Sequence, residues 1–212
     1  MNILSKKKKI SHSSRRWLDR HLKDEFSQLA KKRGYRSRAA FKLIQINQKF
    51  QIFANCKNVL DLGCFPGGWL QVIKELTKPG CKILGVDKLK IRNIDNVAFF
   101  QKDIFEDTTI QMINFFFKKK IDLVLSDMSP NASGNRNVDH LKIISLADKV
   151  LELSKDILKH DKYLVIKIFQ GGAQGQLLEN LKENFTYIKY FKPKASRKES
   201  AETYLICKKI NN

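Results

Sequence analysis

The chain has 212 residues, of which 41 are Lys or Arg and 21 are Asp or Glu, so its formal net charge is +20. This length suits one domain of ordinary size, or at most two small ones. Because 42% of the residues are hydrophobic and 10% are aromatic, the chain can bury a sizeable core, which excludes wholesale disorder. No apolar run approaches the roughly 18 residues that a membrane helix needs, and no secretory signal is expected.

The four cysteines, at positions 56, 64, 81 and 207, form no CxxC pair and have no metal-like spacing with the four histidines. We therefore expect reduced thiols, an intracellular reducing compartment and no metal site. The first 18 residues contain no acidic side chain, which is typical of some organelle transit peptides. The run from Lys6 to Lys9 is equally typical of a nuclear address. Mitochondrion, cytoplasm and nucleolus thus remain open as locations.

The excess positive charge is concentrated near the amino terminus. Residues 1–55 carry a net charge of +12, and residues 56–212 carry a net charge of +8. Mixed charges suffice to keep a protein in solution, whereas a concentrated positive field attracts polyanions. Nucleic acid is therefore the favoured partner, with an acidic membrane surface as the alternative. The same net charge favours a monomer in the absence of RNA.

Two amphipathic helices are predicted in the basic amino-terminal part. From Arg15 to Lys32, apolar residues recur at helical spacing with basic residues between them. After Gly34, a second helix is predicted from Arg36 to Ile44. The i, i+4 spacing places Arg38 and Lys42 on one face of this helix. We expect one side of this second helix to pack and the other to be positive.

From Asn58 onward, short apolar runs alternate with helix-length stretches. This alternation predicts an α/β domain with a parallel sheet and helices on both faces. The predicted strands are Val59–Leu62, Ile83–Val86, Val97–Phe100, Ile121–Ser126, Tyr163–Phe169, Tyr187–Phe191 and Tyr204–Cys207. The predicted helices between the first five are Gly68–Thr77, Asp107–Phe117 and Val138–Leu158, with a short connection to the third strand. A short basic loop joins the last two strands and favours an antiparallel pair. We expect residues 1–14 to form a basic tail and residues 15–212 to form a single domain.

The loop after the first strand, Asp61 to Trp69, runs straight from a strand into a helix. At this point of a doubly wound sheet the backbone approaches a nucleotide-like ligand, and glycine removes the Cβ that would block it. The spacing is not G-x-G-x-x-G and no GK[ST] follows, so pyrophosphate is not the expected ligand. Asp87 and Asp103 follow the next two strands and could bind ribose hydroxyls and an adenine edge. Each is more often a turn or cap residue when taken alone, but together they fit S-adenosylmethionine better than NAD.

Two charged residues lie in or after strands that should be buried. Asp127 follows the fourth strand, and Lys167 interrupts Tyr163–Phe169, the most apolar strand of the chain. A lysine in a central strand costs free energy unless it is paired or functional, so we favour a functional role. Lys42 and Glu202 would each pass as ordinary surface residues when taken alone.

Five blocks of the chain together resemble the signature blocks of the FtsJ-type RNA 2′-O-ribose methyltransferases. They are Tyr35–Leu43, Asp61–Trp69, Ser126–Gly134, Val165–Gly171 and Ser196–Tyr204, in this order. The resemblance spans nearly the whole chain and is strongest to the large-subunit ribosomal RNA enzymes of bacterial and mitochondrial type. It departs at Cys64-Phe65, where many relatives have two alanines, and this change is expected to alter packing beneath the cofactor loop.

The resemblance implies a class I S-adenosylmethionine-dependent methyltransferase fold, which is Rossmann-like and has a seven-stranded, mostly parallel sheet with an antiparallel last strand. It implies 2′-O-methylation of a ribose, with uridine as the favoured nucleoside, in large-subunit ribosomal RNA. The implied partner is this RNA or the large ribosomal subunit, with no membrane involved. The alternatives are 2′-O-methylation of tRNA and a non-catalytic RNA-binding factor for ribosome assembly.

The same resemblance implies specific site residues. The implied catalytic tetrad is Lys42, Asp127, Lys167 and Glu202. The expected S-adenosylmethionine contacts are Gly63, Pro66, Gly67, Gly68, Trp69, Asp87, Asp103 and Asp127. The basic residues expected to contact RNA, through phosphate rather than sequence, are Arg33, Arg36, Arg38, Lys194, Arg197 and Lys198.

Methyl transfer to a ribose hydroxyl requires positioning and the removal of a proton from a very weak acid. Lys167 could act as the base or stabilise the developing alkoxide, and the sequence does not choose between these roles. A nicotinamide dehydrogenase is disfavoured by the loop spacing. A base methyltransferase is disfavoured because neither an Asp/Asn-Pro-Pro-aromatic motif nor a cysteine nucleophile occurs near Asp127.

Overall fold

The computed structural model of the chain describes residues 24–131, 133–172 and 175–210. Within these ranges the chain forms six helices and seven strands. The helices are α1 Glu25–Lys32, α2 Ala39–Phe50, α3 Gly68–Leu76, α4 Asp107–Phe117, α5 Arg136–Ile157 and α6 Gly175–Asn184. The strands are β1 Asn58–Leu62, β2 Lys82–Asp87, β3 Ala98–Gln101, β4 Ile121–Ser126, β5 Leu158–Phe169, β6 Phe185–Phe191 and β7 Glu202–Lys209. None of these helices combines the length and apolar character needed to cross a bilayer.

The seven strands form one sheet in the order β3-β2-β1-β4-β5-β7-β6. Strands β1 to β5 pair in parallel, whereas β7 is antiparallel to both of its neighbours, β5 and β6. The predicted seven-stranded, mostly parallel sheet with an antiparallel last strand is therefore confirmed. Because the strand order reverses between β1 and β4, the helices that follow these two strands pack on opposite faces of the sheet, and this is where open α/β sheets bind ligands.

Alternate residues of the strands point into two separate cores. On one face Val59 and Leu125 pack against α2 and α3, through residues such as Leu43 and Ile73. On the other face, neighbouring strand residues pack against α4, α5 and α6. This period-2 alternation between two apolar faces is what a sheet buried on both sides requires. The prediction of helices on both faces is confirmed.

Several element boundaries differ from the prediction. The second helix begins at Ala39 and not near Arg36; the backbone N–H of Arg36, before the helix, donates to the Gln71 side chain (2.8 Å). Strand β5 begins at Leu158, five residues before the predicted Tyr163, and its pairing with β4 shifts register there.

Helix α6 was not predicted. It buries two residues, Leu177 and Leu181, within a mostly polar stretch, so the sequence carries a weak apolar pattern there. The predicted first helix is described from Glu25, and its earlier part, like the predicted basic tail, lies outside the described residues.

Asp122 joins the starts of neighbouring strands and is almost fully buried. Its Oδ2 accepts hydrogen bonds from the backbone N–H groups of Lys57 and Asn58 (both 2.9 Å), and Lys159 Nζ lies 2.7 Å from its Oδ1. Burial alone would raise the pKa of Asp122, but the bonds from Lys159 and from the two N–H groups hold it below the usual carboxyl range. The side chain thus connects β4, β5 and the start of β1.

We expect Asp122→Asn to lower the free energy of unfolding by about 1–3 kcal/mol at neutral pH, because the amide nitrogen cannot accept these hydrogen bonds. Since the folded-state pKa is lowered, the stabilisation is present above the ordinary carboxyl pKa of about 3.9 and is lost as the pH falls through the lower folded value. Urea unfolding at several pH values measures both effects. Asp161→Asn, at an exposed ion pair with Lys208, is the matched control and should cost under about 1 kcal/mol. Equal losses in the two variants would contradict this role.

Candidate active site

A cavity of about 640 Å³ opens at the carboxyl edge of the parallel strands. Its walls come from the loops that follow β1, β2, β3 and β4 and from one side of α5. Four of the predicted cofactor contacts line this cavity: Gly63, Asp87, Asp103 and Asp127. The structure therefore brings these residues, which are far apart in sequence, to one site at the strand-order reversal.

Gly63 begins the loop that forms the cavity floor. Its φ is +75°, a conformation that favours glycine, and its N–H donates to Val86 O at 2.8 Å. A Cβ at this position would lie 2.2 Å from Met128 Cγ, which is inside van der Waals contact. Glycine is thus required here both by the backbone conformation and by the approach of the loop after β4.

Asp87 and Asp103 place two carboxylates at the adjacent ends of β2 and β3. Asp103 Oδ1 accepts from the backbone N–H of Phe105 (3.1 Å), and Lys88 Nζ lies 2.8 Å from its Oδ2. Partial burial would raise the pKa of Asp103, but the Lys88 and Phe105 hydrogen bonds outweigh it and lower the pKa, so the group is an ionised acceptor. Each carboxylate oxygen has two lone pairs and keeps one for a ligand donor. Acceptors for ribose hydroxyls and an adenine amino group, beside a mostly apolar wall, fit S-adenosylmethionine.

The other predicted cofactor contacts, Pro66, Gly67, Gly68 and Trp69, belong to the same loop but do not line the cavity. A Cβ on Gly67 would lie 2.7 Å from Arg36 Nη1, and one on Gly68 would lie 2.4 Å from Ser37 Oγ. The ring of Trp69 is buried, and its Nε1 donates to Ala39 O at 2.8 Å. These residues hold the loop against the segment before α2, and their contact with the cofactor stays a prediction.

The four tetrad residues meet beside the cavity as two ion pairs. Lys167 Nζ lies 3.1 Å from Asp127 Oδ1 and donates to the Asp127 carbonyl oxygen at 2.6 Å. Lys42 Nζ lies 2.8 Å from Glu202 Oε1. Both lysines are buried, with 6% of Lys167 and 8% of Lys42 exposed. The arrangement places two lysine amino groups and two carboxyl groups next to the end of the predicted cofactor site.

Sheet register explains why these residues converge. Lys167 on β5 pairs with Tyr204 on β7, and Phe169 pairs with Glu202, so Glu202 and Tyr204 lie on one face of β7. That is the face on which α2 packs, which brings Lys42 to the same place. The antiparallel last strand is thus what delivers Glu202 to the site.

Tyr204 belongs to this site and was missed in the sequence analysis. It is fully buried, its hydroxyl donates to Asp127 Oδ1 (2.7 Å), and Lys42 Nζ lies 5.9 Å from its ring centre. Burial, followed by the charges of Asp127 and Glu202, raises the pKa of Tyr204 well above the usual range, so its hydroxyl stays a donor. The signal that could have found it is its position two residues after Glu202 on a strand.

Asp127 is held as an ionised carboxylate. Burial alone would raise its pKa, but the charges of Lys167 and Lys42 and the hydrogen bond from Tyr204 outweigh burial and lower the pKa. Asp61, two residues before Gly63, behaves in the opposite way. It is fully buried, neither of its oxygens has a hydrogen-bond partner among the described residues, and burial raises its pKa well above the usual range. Burial thus disfavours the ionised form of Asp61, the opposite of the effect that the two lysines have on Asp127.

The predicted RNA-contacting residues fall into two groups. Arg33, Lys194 and Lys198 are exposed, and Arg197 is partly exposed, with its Nε 3.7 Å from an Asp24 oxygen. The guanidinium of Arg38 instead bonds to Asp24 and to the Ala195 carbonyl, which ties the start of α2 to the loop before β7.

The guanidinium of Arg36 bonds to three backbone carbonyls. Its Nη1 donates to Pro66 O (3.2 Å) and Arg92 O (2.7 Å), and its Nη2 donates to Asn93 O (2.7 Å). Arg36 thus connects the loop after β1 with the connection between β2 and β3. RNA contact by Arg36 and Arg38 stays a prediction, but both side chains already have structural partners.

We expect Gly63→Ala to weaken S-adenosylhomocysteine binding by at least about tenfold, because its Cβ would displace Met128 from the cavity wall. Gly80→Ala is the matched control, since Gly80 also has a positive φ of +85° but has nothing within 4 Å of its Cβ position. That control should cost about 1–3 kcal/mol of stability and leave ligand affinity unchanged. Calorimetric titration and urea unfolding measure the two effects. Identical behaviour of the two variants would refute the close approach of Met128.

Arg36→Lys should weaken S-adenosylhomocysteine binding by about tenfold and leave RNA affinity within about twofold, because lysine keeps the charge but cannot hold three carbonyl groups. Arg33→Lys, at a neighbouring exposed arginine, is the control for both measurements. Calorimetry with the cofactor product and filter binding with RNA distinguish the two effects. A loss of RNA affinity with unchanged cofactor binding would assign Arg36 to RNA contact instead.

Comparison with known proteins places this geometry in a family. The family described as FtsJ-like methyltransferase matches residues 35–210. Ribosomal RNA large subunit methyltransferase E of Rickettsia bellii (strain RML369-C) is 43% identical over 207 residues, which is 95% of this chain and 90% of that protein. The protein of the same name from Bartonella bacilliformis is 42% identical over 200 residues, which is 93% of this chain and 84% of that protein.

Among solved structures, a ribosomal RNA methyltransferase of Plasmodium falciparum superposes with a TM-score of 0.73 and 34% identity, over 83% of this chain and 98% of that one. The matched region contains all four tetrad residues and every wall of the cavity. The chain belongs to the FtsJ-like methyltransferase family, and its methyl donor is S-adenosylmethionine.

Proposed function

We propose that this chain transfers a methyl group from S-adenosylmethionine to the 2′-hydroxyl of a ribose in large-subunit ribosomal RNA. The observation that carries the proposal is the buried pair of Lys167 and Asp127 at the end of the cofactor cavity. The printed names of the relatives, which describe large-subunit ribosomal RNA methyltransferases, support the substrate.

The surroundings of Lys167 suit a group that acts on a hydroxyl proton. In the part of the chain that the structure describes, the two acceptors at hydrogen-bonding distance from its Nζ both belong to Asp127. An amine has a third direction, which is available for the substrate. As an ammonium it would donate a hydrogen bond to the developing alkoxide, and as a neutral amine it would offer its lone pair to the proton.

The remaining residues orient the reacting groups. S-adenosylmethionine, when bound, supplies an electrophilic methyl group on its sulfonium. Asp127 lines the cofactor cavity and also holds Lys167, so it fixes the lysine relative to the bound cofactor. The hydroxyl of Tyr204 donates a hydrogen bond to Asp127 and so holds the carboxylate in place. The Lys42–Glu202 ion pair lies next to Tyr204 and offers groups that can bind ribose hydroxyls. Such positioning supplies much of the rate enhancement in a displacement reaction.

The RNA would approach over the positive surface next to the tetrad. The exposed residues Arg33, Lys194 and Lys198 come from the segment before α2 and from the loop before β7, and the bond from Arg38 to Ala195 O joins these two segments. Their charges suit phosphate contacts, which orient RNA without reading its sequence. We also propose that the modified nucleoside is uridine and that the protein is a monomer. The bacterial relatives favour the cytoplasm over a mitochondrion or nucleolus.

Incubation with methyl-labelled S-adenosylmethionine and separate pools of ribosomal RNA, large subunits and tRNA tests the substrate. We expect label in ribosomal RNA or in large subunits. Label in tRNA would move the activity to the tRNA-directed alternative. A protein that binds the cofactor and RNA but labels no pool would favour the non-catalytic assembly factor.

We expect Lys167→Met to lower the single-turnover methyl-transfer rate by about 10²- to 10⁴-fold while S-adenosylhomocysteine affinity changes little. Lys208→Met is the matched control, because Lys208 lies on β7 and pairs with Asp161 away from the cavity. Lys167→Arg keeps a permanent charge but cannot accept a proton at neutral pH. Partial recovery of the transfer rate in Lys167→Arg would indicate that Lys167 stabilises the alkoxide. No recovery would indicate that Lys167 is the base. A rate near wild type in Lys167→Met would overturn the assignment.

A further inference from the structure

Three exposed apolar side chains line the cofactor cavity. Phe65 is 50% exposed, Leu89 is 56% exposed and Phe105 is 47% exposed. In the described ranges eight large apolar side chains are exposed, and three of the eight line this one cavity. Exposed apolar side chains on a protein surface are more often scattered singly. Apolar groups grouped around a cavity indicate a surface that a ligand covers. We call these three residues the apolar collar.

The two strand-end carboxylates hold the apolar collar through its backbone. Asp87 Oδ2 accepts from the N–H of Phe65 and Asp87 Oδ1 accepts from the N–H of Leu89, both at 2.8 Å. Asp103 Oδ1 accepts from the N–H of Phe105 at 3.1 Å. Hydrogen bonds to a charged acceptor are stronger than neutral ones, so the backbone at these three residues is held in place before any ligand binds.

The sheet order sets the spacing of the apolar collar. Because β3, β2 and β1 are adjacent in that order, Phe105, Leu89 and Phe65 follow one another along the sheet edge. All three side chains line the same cavity, so together they give the adenosyl end of the site an apolar wall beside the two carboxylates. Such a wall suits the flat, apolar faces of a heterocycle.

We propose that Phe65 is a cofactor-binding residue that determines affinity in this chain: its ring covers the adenosyl part of S-adenosylmethionine, and Asp87 positions it. Asp87 then acts in two ways, as an acceptor for the ligand and as the anchor of Phe65.

The neighbours of Phe65 favour the cofactor over RNA as its ligand. Cys64, the preceding residue, is 3% exposed, and its Sγ lies 2.8 Å from where a Cβ on Gly85 would be. Cys64 therefore packs against β2 beneath the loop, whereas the Phe65 side chain is exposed and can contact a ligand. Phe65 shares its cavity wall with Asp87 and Asp103, while Lys42, Lys167 and Glu202 lie beyond Asp127. The ring is thus on the adenosyl side of the site and not on the acceptor side.

Calorimetric titration of the full chain with S-adenosylhomocysteine tests the proposal. Phe65→Ala should weaken binding by about 5- to 20-fold, because the half of the ring that is exposed is covered in the complex. Phe65→Leu should recover part of the loss. The same fold-loss is expected with 5′-methylthioadenosine, which has the adenosyl part without the amino acid. Phe115→Ala removes a 78% exposed phenylalanine of α4 outside the cavity, and it should leave both affinities unchanged.

A double-mutant cycle tests the link to Asp87. If Asp87 positions Phe65, then Asp87→Asn combined with Phe65→Ala should lose at least about threefold less affinity than the product of the two single losses. Independent losses would show that Asp87 does not position the ring.

Other outcomes would overturn the proposal itself. An S-adenosylhomocysteine affinity within twofold of wild type in Phe65→Ala would remove Phe65 from the cofactor site, and a selective loss of RNA affinity would assign the ring to a nucleotide of the substrate. Failure of the wild-type chain to bind S-adenosylhomocysteine would instead refute the cofactor, which is a distinguishable result.

Discussion

A lysine on an interior strand of a sheet that is buried on both faces must have its charge compensated, and most of this active site follows from that constraint. Lys167 is 6% exposed, and an isolated ammonium in such a place would cost several kcal/mol. Compensation comes from Asp127, which the adjacent strand β4 delivers at its carboxyl end. Tyr204 lies opposite Lys167 on β7 and holds Asp127 in turn. Breaking any of these contacts leaves a buried charge or donor without its partner.

Asp127 also divides the site into two halves. The parallel half of the sheet, β1 to β4, forms the cofactor cavity with carboxylates at its strand ends. The other half, formed by β5, β7 and α2, brings together Lys42, Lys167 and Glu202 next to exposed basic residues. Because Asp127 belongs to both halves, one side chain connects the cavity wall with the buried amino group of Lys167. The antiparallel insertion of β7 between β5 and β6 is what makes the second half possible.

The sequence predicted the strands because their apolar runs are local signals, and it predicted Lys167 because a charge in such a run is conspicuous. Asp87 and Asp103 were predictable from their positions after strands. Tyr204 was missed because an aromatic residue on an apolar strand is usually a core residue, and its place two residues after Glu202 becomes informative only once Glu202 is assigned to the site. Two other features were not predictable, because they depend on contacts between segments that are far apart in sequence. Arg36 is held by backbone carbonyl groups of two distant loops, and the Phe65 side chain is exposed at the cavity. Lys42 and Glu202 were identified by family resemblance, since each looks like a surface residue in isolation.

The proposed function depends on transfer of the methyl group to a ribose oxygen activated by Lys167 and not to a base. Alkaline digestion of the labelled RNA product distinguishes the two, because a 2′-O-methyl group removes the hydroxyl that attacks the neighbouring phosphate. We expect the label to be retained in alkali-resistant dinucleotides. Label released in mononucleotides would mean that a base is methylated and would contradict the role given to the tetrad.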